Sequence, residues 1–211
     1  MKNNTTSNLS LASLMPQLAT ATPNQLCRHG VFETNSSSCH SLSLQLNQDG
    51  ELETNPTLFS DFHIGEDGKL FFSTDEYGWE ISELYSFYDK LSYVMTYCIT
   101  TDSYEDFMFV LKVLHDVTQF QSLYYENFNL LVGTWDDDTD RVEFAHDSMV
   151  KFVFVDDLDI YSFFKRVNGE TYSYIDHQSI DLLDDVIKDE YKLKNLLFCK
   201  QSYIQTDNDN H

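Results

Sequence analysis

Hydrophobic residues along this chain repeat at every second position, then at every third or fourth, then at every second again. Leu42, Leu44 and Leu46 alternate with Ser41, Ser43 and Gln45, which predicts a half-buried strand. Asp49-Gly50 and Asp67-Gly68 offer tight turns, the second just before the apolar run Leu70-Phe71-Phe72, so successive hairpins are expected. The period then changes. Leu84, Tyr88, Leu91, Met95 and Cys98 recur at helical spacing, and Phe107, Val110, Leu111, Leu114 and Val117 do so again. Ser103 with Asp106 three residues on forms a capping box for the second helix. Strand candidates return at 128–132, 142–146, 151–155 and 171–175, with Asn168-Gly169 as a turn signal before the last. Residues 180–187 and 191–199 read as short helices. Strand-rich ends around grouped helices predict a single α+β domain, an antiparallel or mixed sheet packed against a pair of amphipathic helices.

Composition narrows what such a domain can meet. The 211 residues suit one domain with a core of its own. A 42% hydrophobic content, with 15% aromatic, excludes an intrinsically disordered chain. Thirty-five acidic residues against 13 basic ones give a net charge of −22. That surface repels phosphate backbones and anionic lipid, so neither direct nucleic-acid binding nor a membrane surface is expected. No apolar run approaches the length of a membrane span. The charge serves either solubility and fast association with basic partners, or imitation of a nucleic acid.

The four cysteines, Cys27, Cys39, Cys98 and Cys199, are far apart and form no CxxC pair, so reduced thiols are expected. Residues 1–27 differ from the rest, with many Asn, Thr and Ser residues and almost no charge. They read as a flexible leader or a docking peptide, ahead of an acidic domain over residues 28–211. The N-terminus carries no continuous apolar segment of the secretory kind.

Three polar phrases hold the candidate chemistry. In the first, Thr34-Asn35-Ser36-Ser37-Ser38 is a run of small hydrogen-bonding side chains flanked by Glu33 and His40. Such a run is either a Ser-rich loop bonded to its own backbone, or a nest for an anion with His40 as a base. In the second, Ile175-Asp176-His177-Gln178-Ser179, Asp176 or Ser179 either caps the next helix or joins His177 as part of an oriented acid–base group. The third is Glu76-Tyr77-Gly78-Trp79-Glu80, where Trp79 is either a core anchor or a ligand platform. Lys90, further along, either pairs with an acidic neighbour or faces an anionic ligand. No GxSxG elbow, dinucleotide fingerprint or P-loop is present, and the sequence names no cofactor. Asp136, Asp138 and Asp140 open like a calcium loop, but Arg141 takes the place of the turn glycine, so an acidic hairpin tip is expected. Cys27, Cys39 and His40 are too irregular for structural zinc, and no metal site is expected.

The phrases Arg28-x-Gly-Val-Phe-Glu-Thr-Asn-Ser-Ser-Ser-x-His40-Ser41, Glu76-Tyr-Gly-Trp-Glu80, Lys90-x-x-Tyr93 and Ile175-Asp-His-Gln-Ser179 resemble a family of tailed-bacteriophage proteins. The resemblance spans about residues 28–207. It implies a phage origin and expression in the host bacterial cytoplasm, and it implies no activity. Family members begin near the FETNSSS phrase, and the 27-residue leader departs from that pattern. Phrases that travel together suggest one shared pocket. The expectation is an accessory protein whose pocket holds a small anionic or nucleotide-like ligand. Asn35, Ser36, Ser37, Ser38, Ser179, Trp79 and Lys90 are its candidate contacts. His40 and His177 are candidate acid–base groups, oriented by Glu33 or Asp176. Two rivals are an acidic decoy for a basic host protein and a virion or assembly component docked through residues 1–27.

Overall fold

The computed structural model describes residues 26–29, 40–54, 64, 67–78, 82–128, 130–136, 141–144, 160–170, 174–175 and 179–206. Among them the fold is α+β, as the change of period predicts. One sheet is antiparallel and takes the order β1 (Leu26–His29), β2 (Ser41–Gln45), β10 (Tyr203–Thr206), β5 (Ser82–Leu84). The second is mixed, in the order β3 (Lys69–Phe72), β6 (Ser122–Tyr125), β7 (Leu130–Asp136), β8 (Arg141–Phe144), with β3 and β6 parallel. A short parallel pair joins β4 (Glu76–Tyr77) to β9 (Tyr174–Ile175). The described residues thus form two four-stranded sheets and one two-stranded pair where a single sheet was expected. Leu26 and Cys27, the last described residues of the expected leader, pair with β2.

Four helices among the described residues bind these sheets together: α1 (Phe87–Thr100), α2 (Tyr104–Thr118), α3 (Ile160–Glu170) and α4 (Glu190–Phe198). The Asp106 N–H donates to Ser103 Oγ at 3.3 Å, so α2 starts with Ser103 as its N-cap, the first half of the box read from the sequence. Helix α1 starts on the same chemistry, with the Asp89 N–H on Ser86 Oγ at 3.1 Å. Leu84, read as the first turn of that helix, lies in β5 instead. The apolar period runs unbroken from one element into the next, and the cap marks the true boundary.

Helix α1 packs against α2, α3, α4, β3 and β9, and every residue from Lys90 to Ile99 is buried. Its expected amphipathic stripe is therefore absent, because a helix covered on all sides has no solvent face. Helix α2 does keep one, burying Phe107, Val110, Leu111, Val113 and Leu114 while Glu105, Lys112 and Asp116 stay exposed.

Helix α3 replaces the expected turn at Asn168-Gly169, which lies within its last turn. Ile160, Phe163, Phe164 and Val167 sit at helical spacing and are all buried. Phe163 packs on Phe72 and Tyr125, and Phe164 on Tyr104 and Phe107. This aromatic packing outweighs a local turn preference. Lys165 adds an ion pair to Asp102 at 2.5 Å, in the tight α1–α2 connection where Asp102 has φ of 53°.

The helix expected over 180–187 forms as turns. Leu182, Asp184 and Val186 each donate to the carbonyl three residues back, and only Ile187 among them reaches four back. Three aspartates and three β-branched residues in that stretch disfavour a regular helix. Asp189 then caps α4, accepting from the Tyr191 and Lys192 N–H groups. The strand expected at 151–155 and most of the aspartate tip, residues 137–140, lie outside the described residues. No helix is long and apolar enough to cross a membrane among the described residues.

Candidate functional site around His40

His40 is the last residue before β2 and is 1% exposed. Its backbone N–H donates to Ser179 Oγ at 2.9 Å. Its Nε2 lies 3.1 Å from the Gly78 carbonyl and its Nδ1 lies 2.8 Å from the Tyr93 hydroxyl. A carbonyl only accepts, so Nε2 carries the hydrogen; in the neutral tautomer that this selects, Nδ1 accepts from the Tyr93 hydroxyl. One residue therefore ties together the first phrase (His40), the second (Ser179), the third (Gly78) and the Tyr93 of the α1 pair Lys90-x-x-Tyr93.

Neighbouring contacts fix this junction. Gly78 follows β4, and a Cβ built there would stand 2.5 Å from the Tyr174 hydroxyl. Glycine at 78 thus lets the phenol of β9 lie against the backbone that receives His40. Tyr77 packs on Tyr93 with ring centroids 4.8 Å apart. Burial pushes the Tyr77 phenol up to about 12, against a hydrogen bond with Ser92 of α1 that pulls it down. Tyr97, one turn beyond Tyr93, donates to Asp184; burial and that carboxylate both hold its phenol well above the usual range. Thr96 Oγ accepts the Asp75 N–H at 2.9 Å, which fastens the β3–β4 connection to α1.

The geometry sorts the candidate residues. His40 and Ser179 meet directly. Lys90 is fully buried and donates to the carbonyls of Cys199 and Ser202 at 3.1 and 3.0 Å. Those two bonds tie α1 to the α4–β10 connection, so in this arrangement Lys90 serves that connection rather than facing a ligand. His40 has both ring nitrogens engaged and almost no exposure, so in this state it orders the junction rather than acting as an open base. Glu33, Asn35, Ser36, Ser37, Ser38, Trp79, Asp176 and His177 lie outside the described residues.

Two contributors went unread in the sequence. Tyr174 is betrayed only by its place one strand away from Gly78. Asn195 is fully buried on α4. It accepts from the Gln45 N–H at 3.0 Å and the Ser202 hydroxyl at 2.7 Å, and donates to the Gln45 and Glu53 carbonyls at 2.9 and 2.8 Å. An uncharged polar residue on the same helix face as the apolar run, directly before Leu196-Leu197-Phe198, was the available signal. Among the described residues no three His, Cys, Asp or Glu side chains gather as a metal site. Cys98 and Cys199 are free and buried, and burial raises both thiols, Cys199 to about 12. Neither is therefore an activated nucleophile.

No family model, curated protein or solved structure matches the chain.

Proposed function

We propose that this is a phage-encoded accessory protein of the host cytoplasm that binds a small anionic ligand at the junction organised by His40. The observation that carries the reading is the meeting of His40, Gly78, Tyr93 and Ser179, drawn from four separate segments. Residues 30–39, 79–81 and 176–178 each adjoin this junction in the sequence, and they contain the remaining polar candidates. Asn35 to Ser38 would supply hydroxyl and amide donors to the anion, with His177 as its cationic or acid–base partner. Glu33 or Asp176 would orient that histidine. His40 would act by positioning, since its ring nitrogens are engaged within the protein.

The test is calorimetric titration of the full chain with inorganic phosphate and with a nucleoside monophosphate. Saturable binding that weakens about tenfold in His177→Ala and in Ser36→Ala, at unchanged thermal midpoint, supports the reading. Heats equal to dilution for both probes, or binding indifferent to both substitutions, would overturn it.

A further inference from the structure

The β5–β10 edge of the antiparallel sheet carries a second feature, away from the His40 ring. Leu42, Leu84 and Ile204 turn inward and are buried. Alternation therefore sends Glu83 and Tyr85 from the β5 side, and Tyr203 from β10, to the opposite face. The pairing of Leu84 with Ile204 sets Tyr85 across from Tyr203. Their rings pack at a tilt, with centroids 4.8 Å apart and planes 32° apart. Tyr85 is 44% exposed, among the largest apolar exposures of the described residues. Partial burial raises its phenol above the usual value, and the Glu83 carboxylate and the Tyr203 phenol add to the rise. A pair of phenol rings with a carboxylate against them thus stands on the surface of a chain with net charge −22.

That combination selects a class of ligand. Ring faces are negative, so a pair of rings beside a carboxylate attracts a cation. A planar guanidinium lies flat on a ring while its N–H edge reaches a carboxylate, which the compact ammonium of lysine cannot do. The net charge disfavours a nucleobase carried on a phosphate backbone. β5 also ends its sheet among the described residues, so an extended segment laid along it would bring alternate side chains over Glu83 and Tyr85.

We propose that the Glu83–Tyr85–Tyr203 face docks an extended, arginine-bearing segment of a basic partner protein. This stands independently of the His40 junction, since none of its three residues contributes there. Arginine and tyrosine are the residues that concentrate binding energy at interfaces.

The test uses fluorescence anisotropy of a labelled peptide of alternating arginine and threonine, with the lysine analogue as its comparison. The full chain should bind the arginine peptide about fivefold more tightly than the lysine peptide. Tyr85→Ala and Glu83→Gln should each weaken the arginine peptide about three- to tenfold. Tyr85→Leu, which keeps apolar area and removes the ring face, should match Tyr85→Ala. Tyr191→Ala, at an exposed tyrosine beside Glu190 on α4, should change affinity less than about twofold. Equal affinity for the two peptides would overturn the proposal, because net charge alone would then account for binding. So would an equal loss from Tyr191→Ala, or full binding by Tyr85→Leu.

Discussion

Helices α1 and α2 are adjacent, of nearly equal length at 14 and 15 residues, and capped by the same Ser-x-x-Asp pattern. Their surroundings are opposite. Helix α2 buries one stripe and gives its charged residues to water. Helix α1 is enclosed from Lys90 to Ile99, and four of its polar side chains bond to separate parts of the chain. Lys90 holds the α4–β10 connection, Tyr93 holds His40, Thr96 holds Asp75 and Tyr97 holds Asp184. A buried polar group left without a partner costs more than its bond gains, so each contact admits few alternative packings. The polar residues of α1 therefore position the candidate site, whereas those of α2 keep a surface wet.

The largest expected difference between the helices is at lysine. Lys90→Ala removes a buried stem and leaves the Cys199 and Ser202 carbonyls short of a donor, and should cost about 3–5 kcal/mol in urea unfolding. Lys112→Ala, on the exposed face of α2, should cost under about 1 kcal/mol. Lys90→Met separates the two parts of the effect, because it restores volume without the donor. If Lys90→Met is as stable as the natural chain, the bonds to the two carbonyls contribute specificity and no net stability.

The next effect is on pH. Tyr77, bonded to Ser92 of α1, has its phenol raised to about 12 from an ordinary 10.0. A raised folded value means that the native state holds the proton more tightly. Its contribution is complete below about pH 10 and is lost as pH climbs through about 12. That amounts to about 2–3 kcal/mol across the window. Cys199, raised to about 12 from 9.0, pulls in the same direction. Urea midpoints measured from pH 9 to 12 should fall, and Tyr77→Phe should flatten the fall. An unchanged slope would mean that Tyr77 reaches solvent in the native state.

A smaller loss is expected at Tyr93. Tyr93→Phe keeps the packing on Tyr77 and removes the donor to His40 Nδ1, and should cost about 1–2 kcal/mol. It should also move the His40 imidazole resonances, with little change in the signals of α2. A spectrum in which only α1 shifts and the His40 ring does not would break the link between that helix and the junction.

Much of this arrangement was legible in the sequence, and the failures share a cause. Alternation located β2, and the Ser103 cap located the start of α2, because each is a local signal. The same local signal lay at Ser86 and Asp89, but an apolar period running back to Leu84 hid it. Asn168-Gly169 carried a strong local signal that proved wrong, since α3 is held by contacts with Phe72, Phe107 and Tyr125 from distant elements. Strand β10 shows alternation of Tyr203, Ile204, Gln205 and Thr206, yet it is too short for a periodic pattern to stand out. In the site, the grouping of polar phrases could be suspected from the sequence. That His40 would be enclosed, and that Lys90 would bond to carbonyls, depends on which elements cover α1, and no local pattern states that.

The caps give the smallest effect and the closest comparison of the two helices. Ser103→Ala frees the Asp106 N–H at the start of a helix that still shows a face to water, and should cost about 1 kcal/mol. Ser86→Ala removes the same bond to Asp89 N–H together with the Ser86 hydroxyl's own bond to the Asp89 carboxylate at 2.6 Å. Counted by bonds alone, the Ser86 change should be the larger. The first turn of α1 also rests on Phe87, which is fully buried and packs on Phe198 with centroids 5.2 Å apart. If enclosure rather than local capping holds α1, amide exchange in its first turn should stay slow in Ser86→Ala. The first turn of α2 should exchange measurably faster in Ser103→Ala. Equal fraying of both helices would show that α1 depends on its own ends as much as α2 does, and the contrast between them would then lie only in what their polar side chains hold.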